Sequence, residues 1–231
     1  MTAGDQGSGT VPVAGPIKRI GVLGGTFDPV HLGHLALARF VRQSLGLDRL
    51  LFIPAARPPH KLQTDLSPFA ARYEMLQLAL RRKPEFTVSD MEVARRGPSY
   101  SVDTLAQLHR LAGDGERFFF IIGLDAFLEL QTWKNYRELP RLADLVVINR
   151  AEYPFEQALV TIQSLGNYRY DQDCSCWRTA GLSGRIYLLT MEPVEISSTM
   201  VRQAVAAGQP LNGLVPAEVA RYIREHRLYL S

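Results

Sequence analysis

Cysteine is scarce in this chain, with two among 231 residues. That argues against a disulfide-stapled secreted scaffold and points to a reducing cytoplasm. The two, Cys174 and Cys176, are separated by one serine. That spacing is too short for an easy disulfide, and they are given no role. No further Cys or His cluster is spaced to complete a zinc site, which needs three or four protein ligands. No apolar run approaches the ~20 residues of a membrane span. Charge of one sign is missing too. The 26 Lys+Arg against 23 Asp+Glu leave a formal charge of +3, too balanced to argue for nucleic acid. Residues 1–16 are rich in Gly, Thr, Ser and Pro and lack the apolar segment of a secretory signal. They are read as a flexible tail before a single domain at 17–231. With 46% hydrophobic residues, that domain can bury a sizeable core.

What is present is concentrated in Gly24-Gly25-Thr26-Phe27-Asp28-Pro29-Val30-His31-Leu32-Gly33-His34. The apolar run before it, Ile20-Gly21-Val22-Leu23, reads as a buried strand, and residues 35–41 after it read as a helix. A glycine pair therefore closes a strand, and two histidines three residues apart open a helix. Glycine lets a backbone approach a bulky anion. A helix start offers unpaired N–H groups and the positive end of the macrodipole. Imidazoles add directed donors. The combination suits phosphate, and phosphate on which charge is about to change. A ligand-free tight turn and a metal-binding histidine pair are the bland alternatives.

Strand and helix patterns alternate along the chain. Strands are expected at 17–23, 49–54, 86–93, 117–123, 145–149 and 185–191. Helices are expected at 68–82, 101–111, 197–208 and 216–227, the last with Pro216 in its first turn. In 68–82 the apolar positions are Phe69, Tyr73, Leu76 and Leu80. Segment 117–123, Arg-Phe-Phe-Phe-Ile-Ile-Gly, is the near-continuous apolar run of a central parallel strand. The stretch from about 154 to 184 has the weakest pattern, and its loops are left open. The order implies a doubly wound, mostly parallel α/β sheet of Rossmann-like type in one domain. Ligands of such sheets sit beyond the carboxyl ends of the strands. Three segments end there: Gly24-Gly25-Thr26, Pro54 through Lys61, and Gly123-Leu124-Asp125.

The glycine–histidine motif resembles the signature of the His-x-Gly-His nucleotidyltransferase superfamily. A second superfamily motif, Ile196-Ser197-Ser198-Thr199-Met200-Val201-Arg202, follows near the C-terminus. Read alone, Ser197-Ser198-Thr199 would be an ordinary helix cap. Four further segments resemble the bacterial nicotinate-nucleotide adenylyltransferases: Pro58-Pro59-His60-Lys61; Pro98-Ser99-Tyr100-Ser101 with Asp103-Thr104; Phe120 through Asp125; and Trp133-Lys134. The resemblance runs from Ile17 to Tyr229. It implies adenylyl transfer from ATP to nicotinic acid mononucleotide, with Mg²⁺ carried by the ATP phosphates, no resident metal on the protein, and a cytoplasmic location. Membrane and nucleic-acid partners are not expected; an oligomer is possible.

The resemblance implies roles for named residues. His31, His34 and Arg202 are the catalytic candidates. Gly24, Gly25, Thr26, Phe27, Gly123, Asp125, Ile196, Ser197, Ser198 and Thr199 would join them around ATP. His60, Lys61, Ser101, Asp125, Trp133, Lys134 and Arg150 would meet the mononucleotide. Trp133 would stack on the pyridine ring, and Ser101 with the Lys134 backbone would meet its carboxylate. Relatives often carry threonine where Ser101 stands and a polar residue where Ala55 stands; serine keeps the hydroxyl, whereas Ala55 removes a possible contact. A solvated basic loop at His60-Lys61 and a core role for Trp133 are the alternatives. At the level of function, so are a pantetheine-phosphate adenylyltransferase, a class I synthetase domain and a non-catalytic nucleotide-binding protein.

Overall fold

The computed structural model describes residues 17–59, 66–113, 115–150 and 156–230. The chain alternates β1 (Lys18–Gly25), α1 (Leu32–Leu45), β2 (Arg49–Pro54), α2 (Phe69–Leu80), β3 (Phe86–Val88), α3 (Ser101–Leu111) and β4 (Glu116–Gly123). Then come α4 (Leu124–Leu128), α5 (Leu139–Leu142), β5 (Asp144–Asn149), α6 (Glu156–Leu165), β6 (Arg169–Asp171), β7 (Cys176–Thr179), β8 (Leu182–Thr190), α7 (Ser198–Ala206) and α8 (Ala217–Glu225). The eight strands lie in the order β3-β2-β1-β4-β5-β8-β7-β6. From β3 to β8 all pairs are parallel. The β6 and β7 strands extend that edge as an antiparallel pair. The doubly wound, mostly parallel sheet expected from the sequence is therefore present.

Alternation along the central strands splits the core into two layers. Leu23 of β1 and Phe119 and Ile121 of β4 pack with Leu37 and Val41 of α1, Met75 and Leu76 of α2, Val201 of α7 and Ile223 of α8. Ile20 and Val22 of β1 and Phe118, Phe120 and Ile122 of β4 face the other way. They pack on Val102 and Leu105 of α3, Phe127 of α4 and Ile162 of α6. Strand order reverses between β1 and β4, so their carboxyl ends flank the crevice where such sheets bind ligands.

Three sequence expectations need correction, and one stretch left open is filled in. The 86–93 strand stops at Val88, because residues 89–97 leave the sheet to bury Glu92 against α3. The buried face of α2 is Ala71, Arg72, Met75, Leu76, Ala79 and Leu80. It is rotated from the expected stripe, leaving Phe69 and Tyr73 half-buried. The weakly patterned 154–184 stretch holds α6 and the β6–β7 pair. Cys174 and Cys176 are disulfide-bonded, with Cα atoms 5.3 Å apart. Ser175 takes φ 47° between them, which folds the short link into the span a disulfide bridges.

Candidate active site

The β1 exit is shaped by steric need. A Cβ on Gly25 would meet the Phe27 ring at 3.0 Å, whereas a Cβ on Gly24 would meet nothing within 4 Å. Gly24 thus lines open space. Phe27 sits in the left-handed region at φ 51°, a costly conformation for a residue with a side chain. Its buried ring holds it there, packed on Phe52 at 5.7 Å and edge-on to His34 at 4.9 Å.

His31 caps α1 and His34 is the third residue of the helix. The backbone N–H of His31 donates to His34 Nδ1 at 3.3 Å. That bond places the His34 proton on Nε2, leaving Nε2–H as a free donor. The two rings lie 3.7 Å apart. Burial, then the positive charge of Arg150, pushes His31 down to about 4. His34 is held well below its ordinary value by burial, by His31 and by Arg150. Both imidazoles are therefore neutral donors and acceptors at pH 7. Gly33 separates them because a Cβ there would lie 3.0 Å from His31 Nδ1 and 3.4 Å from the Ile196 carbonyl.

That carbonyl shows the two motifs meeting. The Ser198 hydroxyl donates to the Pro29 carbonyl at 2.9 Å, and Arg202 Nη1 donates to the Asp28 carbonyl at 2.8 Å. Arg202 Nη2 donates to Thr199 Oγ1 at 3.3 Å, and Ser197 Oγ caps α7 by accepting from the Met200 N–H at 3.2 Å. The three hydroxyls of Ser197, Ser198 and Thr199 are thus engaged within the protein. The groups of α7 still without partners inside the helix are its first backbone N–H groups. Two helix starts, α1 and α7, thus meet at the loop that follows β1.

What holds this junction was nearly invisible in the sequence. Asp28 is 2% exposed. Its carboxylate accepts from the Tyr229 hydroxyl at 2.6 Å and the Ser67 N–H at 3.1 Å. Arg72, also 2% exposed, donates to the Thr26 carbonyl at 2.7 Å and to the Ser67 carbonyl at 3.1 Å. An arginine on the apolar stripe of α2 was the one signal available. Tyr229 gave none, lying 201 residues from its partner.

Across β1, the β2 and β4 exits carry a cavity of about 170 Å³ lined by Pro59, Ser99, Tyr100, Ser101, Val102, Thr132, Trp133 and Lys134. Trp133 is half-buried, edge-on to Phe120 at 6.4 Å. Ser101 is the first residue of α3, so its hydroxyl sits with the helix's unpaired N–H groups. The Lys134 ammonium is engaged elsewhere, with Asp103 at 2.9 Å and 4.9 Å from the Tyr100 ring centre. Asp125 stands in the first turn of α4, and a Cβ on Gly123 would collide with its carboxylate. Arg150, just past β5, is close enough to Asp125 and to both histidines to interact with all three. His60 and Lys61 lie outside the described residues.

Among the described residues, no group of three or more His, Cys, Asp or Glu could hold a metal ion, and no helix is long and apolar enough to cross a membrane.

The cytidylyltransferase-like family model matches residues 22–204. A protein of Geotalea daltonii named as a probable nicotinate-nucleotide adenylyltransferase is 42% identical over 216 residues, covering 91% of this chain and 98% of that relative. One of the same name from Thermus thermophilus is also 42% identical, over 91% of this chain and 99% of its own length. Among solved structures, the Plasmodium falciparum nicotinic acid mononucleotide adenylyltransferase complexed with NaAD superposes with a TM-score of 0.70 at 17% identity. That match covers 92% of this chain and 97% of the other, and it shows a shared fold.

Proposed function

The chain belongs to the nicotinate-nucleotide adenylyltransferase family, and on that premise we propose how its site joins nicotinic acid mononucleotide to the AMP part of ATP. The enzyme releases pyrophosphate and forms deamido-NAD, a step of NAD synthesis. We assign the reaction to direct in-line attack of an acceptor phosphate oxygen on the α-phosphorus, and we place the enzyme in the cytoplasm. Both partners are anions, so positioning and charge neutralisation are most of the catalytic task.

ATP lies over Gly24, with its phosphates against the starts of α1 and α7. Charge grows on the leaving pyrophosphate as the bond breaks. His34 Nε2–H, the first amides of α7 and Arg202 meet it. His31 acts on His34 through its backbone N–H. Mg²⁺ arrives on the ATP phosphates as part of the substrate; histidine nitrogens are poor ligands for so hard a cation.

The mononucleotide enters the cavity on the other side of β1. Trp133 stacks on the pyridine ring, and the Ser101 hydroxyl with the α3 and Lys134 N–H groups binds the carboxylate. Arg150 meets the acceptor phosphate, together with His60 and Lys61, and Asp125 meets a ribose. The observation that carries this reading is the pairing: a ring-sized cavity with an aromatic wall and a helix start, beside a two-helix phosphate cradle. Purified protein given ATP, Mg²⁺ and nicotinic acid mononucleotide should yield deamido-NAD and pyrophosphate. Folded protein that makes no product, or that prefers pantetheine phosphate in a panel of acceptors, would refute it.

A further inference from the structure

The acceptor cavity has a second layer behind its lining. Glu92 is only 7% exposed, lies in the segment after β3, and does not line the cavity. Two hydrogen-bond donors and one cation approach its carboxylate. The Thr104 hydroxyl, one turn into α3, donates to Oε1. The Ala56 N–H, at the β2 exit, donates to Oε2 at 3.3 Å. The Arg95 guanidinium lies 3.4 Å from Oε1 and donates onward to Thr104 Oγ1 at 2.7 Å and Gln107 at 3.3 Å. Nearer the cavity the same walls are joined by Arg57 and Ser99. The Arg57 N–H donates to Ser99 Oγ at 3.0 Å, and the Ser99 N–H donates to the Arg57 carbonyl at 2.9 Å.

We infer that Glu92 is a positioning residue for the acceptor: it fixes the β2 exit, which carries Pro59, against the start of α3, which carries Ser101, and so sets the width of the cavity. The inference rests on the assignment of that cavity to nicotinic acid mononucleotide. The carboxylate accepts from the Thr104 hydroxyl and the Ala56 N–H at once and faces the Arg95 cation. A glutamine removes the charge opposite Arg95 and must turn its NH₂ toward one of the two donors; Thr104 can accept from it only by giving its own proton to the Tyr100 carbonyl, 3.2 Å away. Losing the buried charge and its bonds is costly, so the two walls separate and the ring loses its close fit. The ATP cradle is built on α1 and α7, which Glu92 does not touch.

The test compares wild type with Glu92→Gln and Thr104→Val, using steady-state kinetics for each substrate, turnover of the acid and amide mononucleotides, and thermal unfolding. Both variants should raise the KM for nicotinic acid mononucleotide about tenfold, the effect of losing one charge-assisted hydrogen bond. The KM for ATP should stay within about twofold, and the preference for acid over amide should narrow as the carboxylate site loosens. A residue that serves stability alone would not split the two KM values. An unchanged mononucleotide KM, or equal change in both, would overturn the inference. If Glu92→Gln does not fold, Thr104→Val decides the matter by the same criteria. Wild-type protein that does not use the mononucleotide at all would refute the functional assignment and this inference with it. Normal wild-type turnover with insensitive variants would refute the inference alone.

Discussion

His34 has separate work for its two ring nitrogens, and two substitutions can pull that work apart. Nδ1 accepts the His31 N–H at 3.3 Å; Nε2–H is the donor proposed above for the phosphates. In His34→Asn the amide oxygen can stand where Nδ1 stood, while nothing reaches the Nε2 position. In His34→Gln the longer side chain can bring an N–H near the Nε2 position but no longer fits the bond to His31. Loss of one preorganised donor at a developing oxyanion costs ~10²–10³ in kcat, so His34→Asn should fall by that factor with stability nearly unchanged. His34→Gln should keep more of kcat and lose on the order of 1 kcal/mol of stability, the scale of a lost helix cap. Pyrophosphate-release kinetics and urea unfolding on the same preparations measure both quantities. Burial, His31 and Arg150 hold His34 well below its usual value, so the wild-type kcat should not titrate near the ordinary histidine value of 6.5. Wild-type turnover by His34→Asn, or loss of activity in both variants by simple unfolding, would refute the division of roles.

Three further outcomes follow from the geometry. Trp133→Ala should raise the KM for the mononucleotide roughly 5- to 150-fold, from a stacking worth of ~1–3 kcal/mol; equal loss on ATP would mean a collapsed wall. Tyr229→Phe removes the 2.6 Å bond to buried Asp28 and should lower unfolding free energy by about 1.5–3 kcal/mol; an unchanged urea midpoint would show that Ser67 and Arg72 suffice. His31 is pushed down from 6.5 to about 4, so between those values the unfolded chain takes up a proton that the folded chain refuses. Stability should therefore fall as pH falls through that window, by about 3 kcal/mol from this group. His31→Gln should have a shallower slope, and identical slopes in urea titrations from pH 7 to 4 would contradict the assignment.

The parallel half of the sheet was legible because its strands are buried on both faces. Phe118 through Ile122 admit no reading but a central strand. The β6–β7 edge was not legible, since strands of three and four residues with Arg169, Asp171 and Arg178 among them carry no period. The 86–93 expectation failed for an informative reason. The alternation of Phe86 and Val88 breaks at Asp90, with Met91 and Val93 on the other parity, and Glu92 is held outside the sheet by Thr104, Ala56 and the charge of Arg95. The spacing argument against a disulfide failed at Ser175, whose positive φ brings the two cysteines round.

In the site, motif residues were legible and their supports were not. Asp28 makes the distinction concrete. Within a motif proposed to bind phosphate, an aspartate invites a chemical role. Yet its carboxylate is enclosed by Tyr229, Ser67 and the nearby charge of Arg72, and its carbonyl is taken by Arg202. It is an anchor: one buried carboxylate joins the β1–α1 loop to the C-terminal segment and to Ser67, just ahead of α2. Its carbonyl adds the helix of the second motif. A spacing pattern can show that a charged residue is required at such a position. Whether the charge faces substrate or faces protein depends on partners that approach from α2 and from Tyr229, near the far end of the chain, and only the fold brings those together.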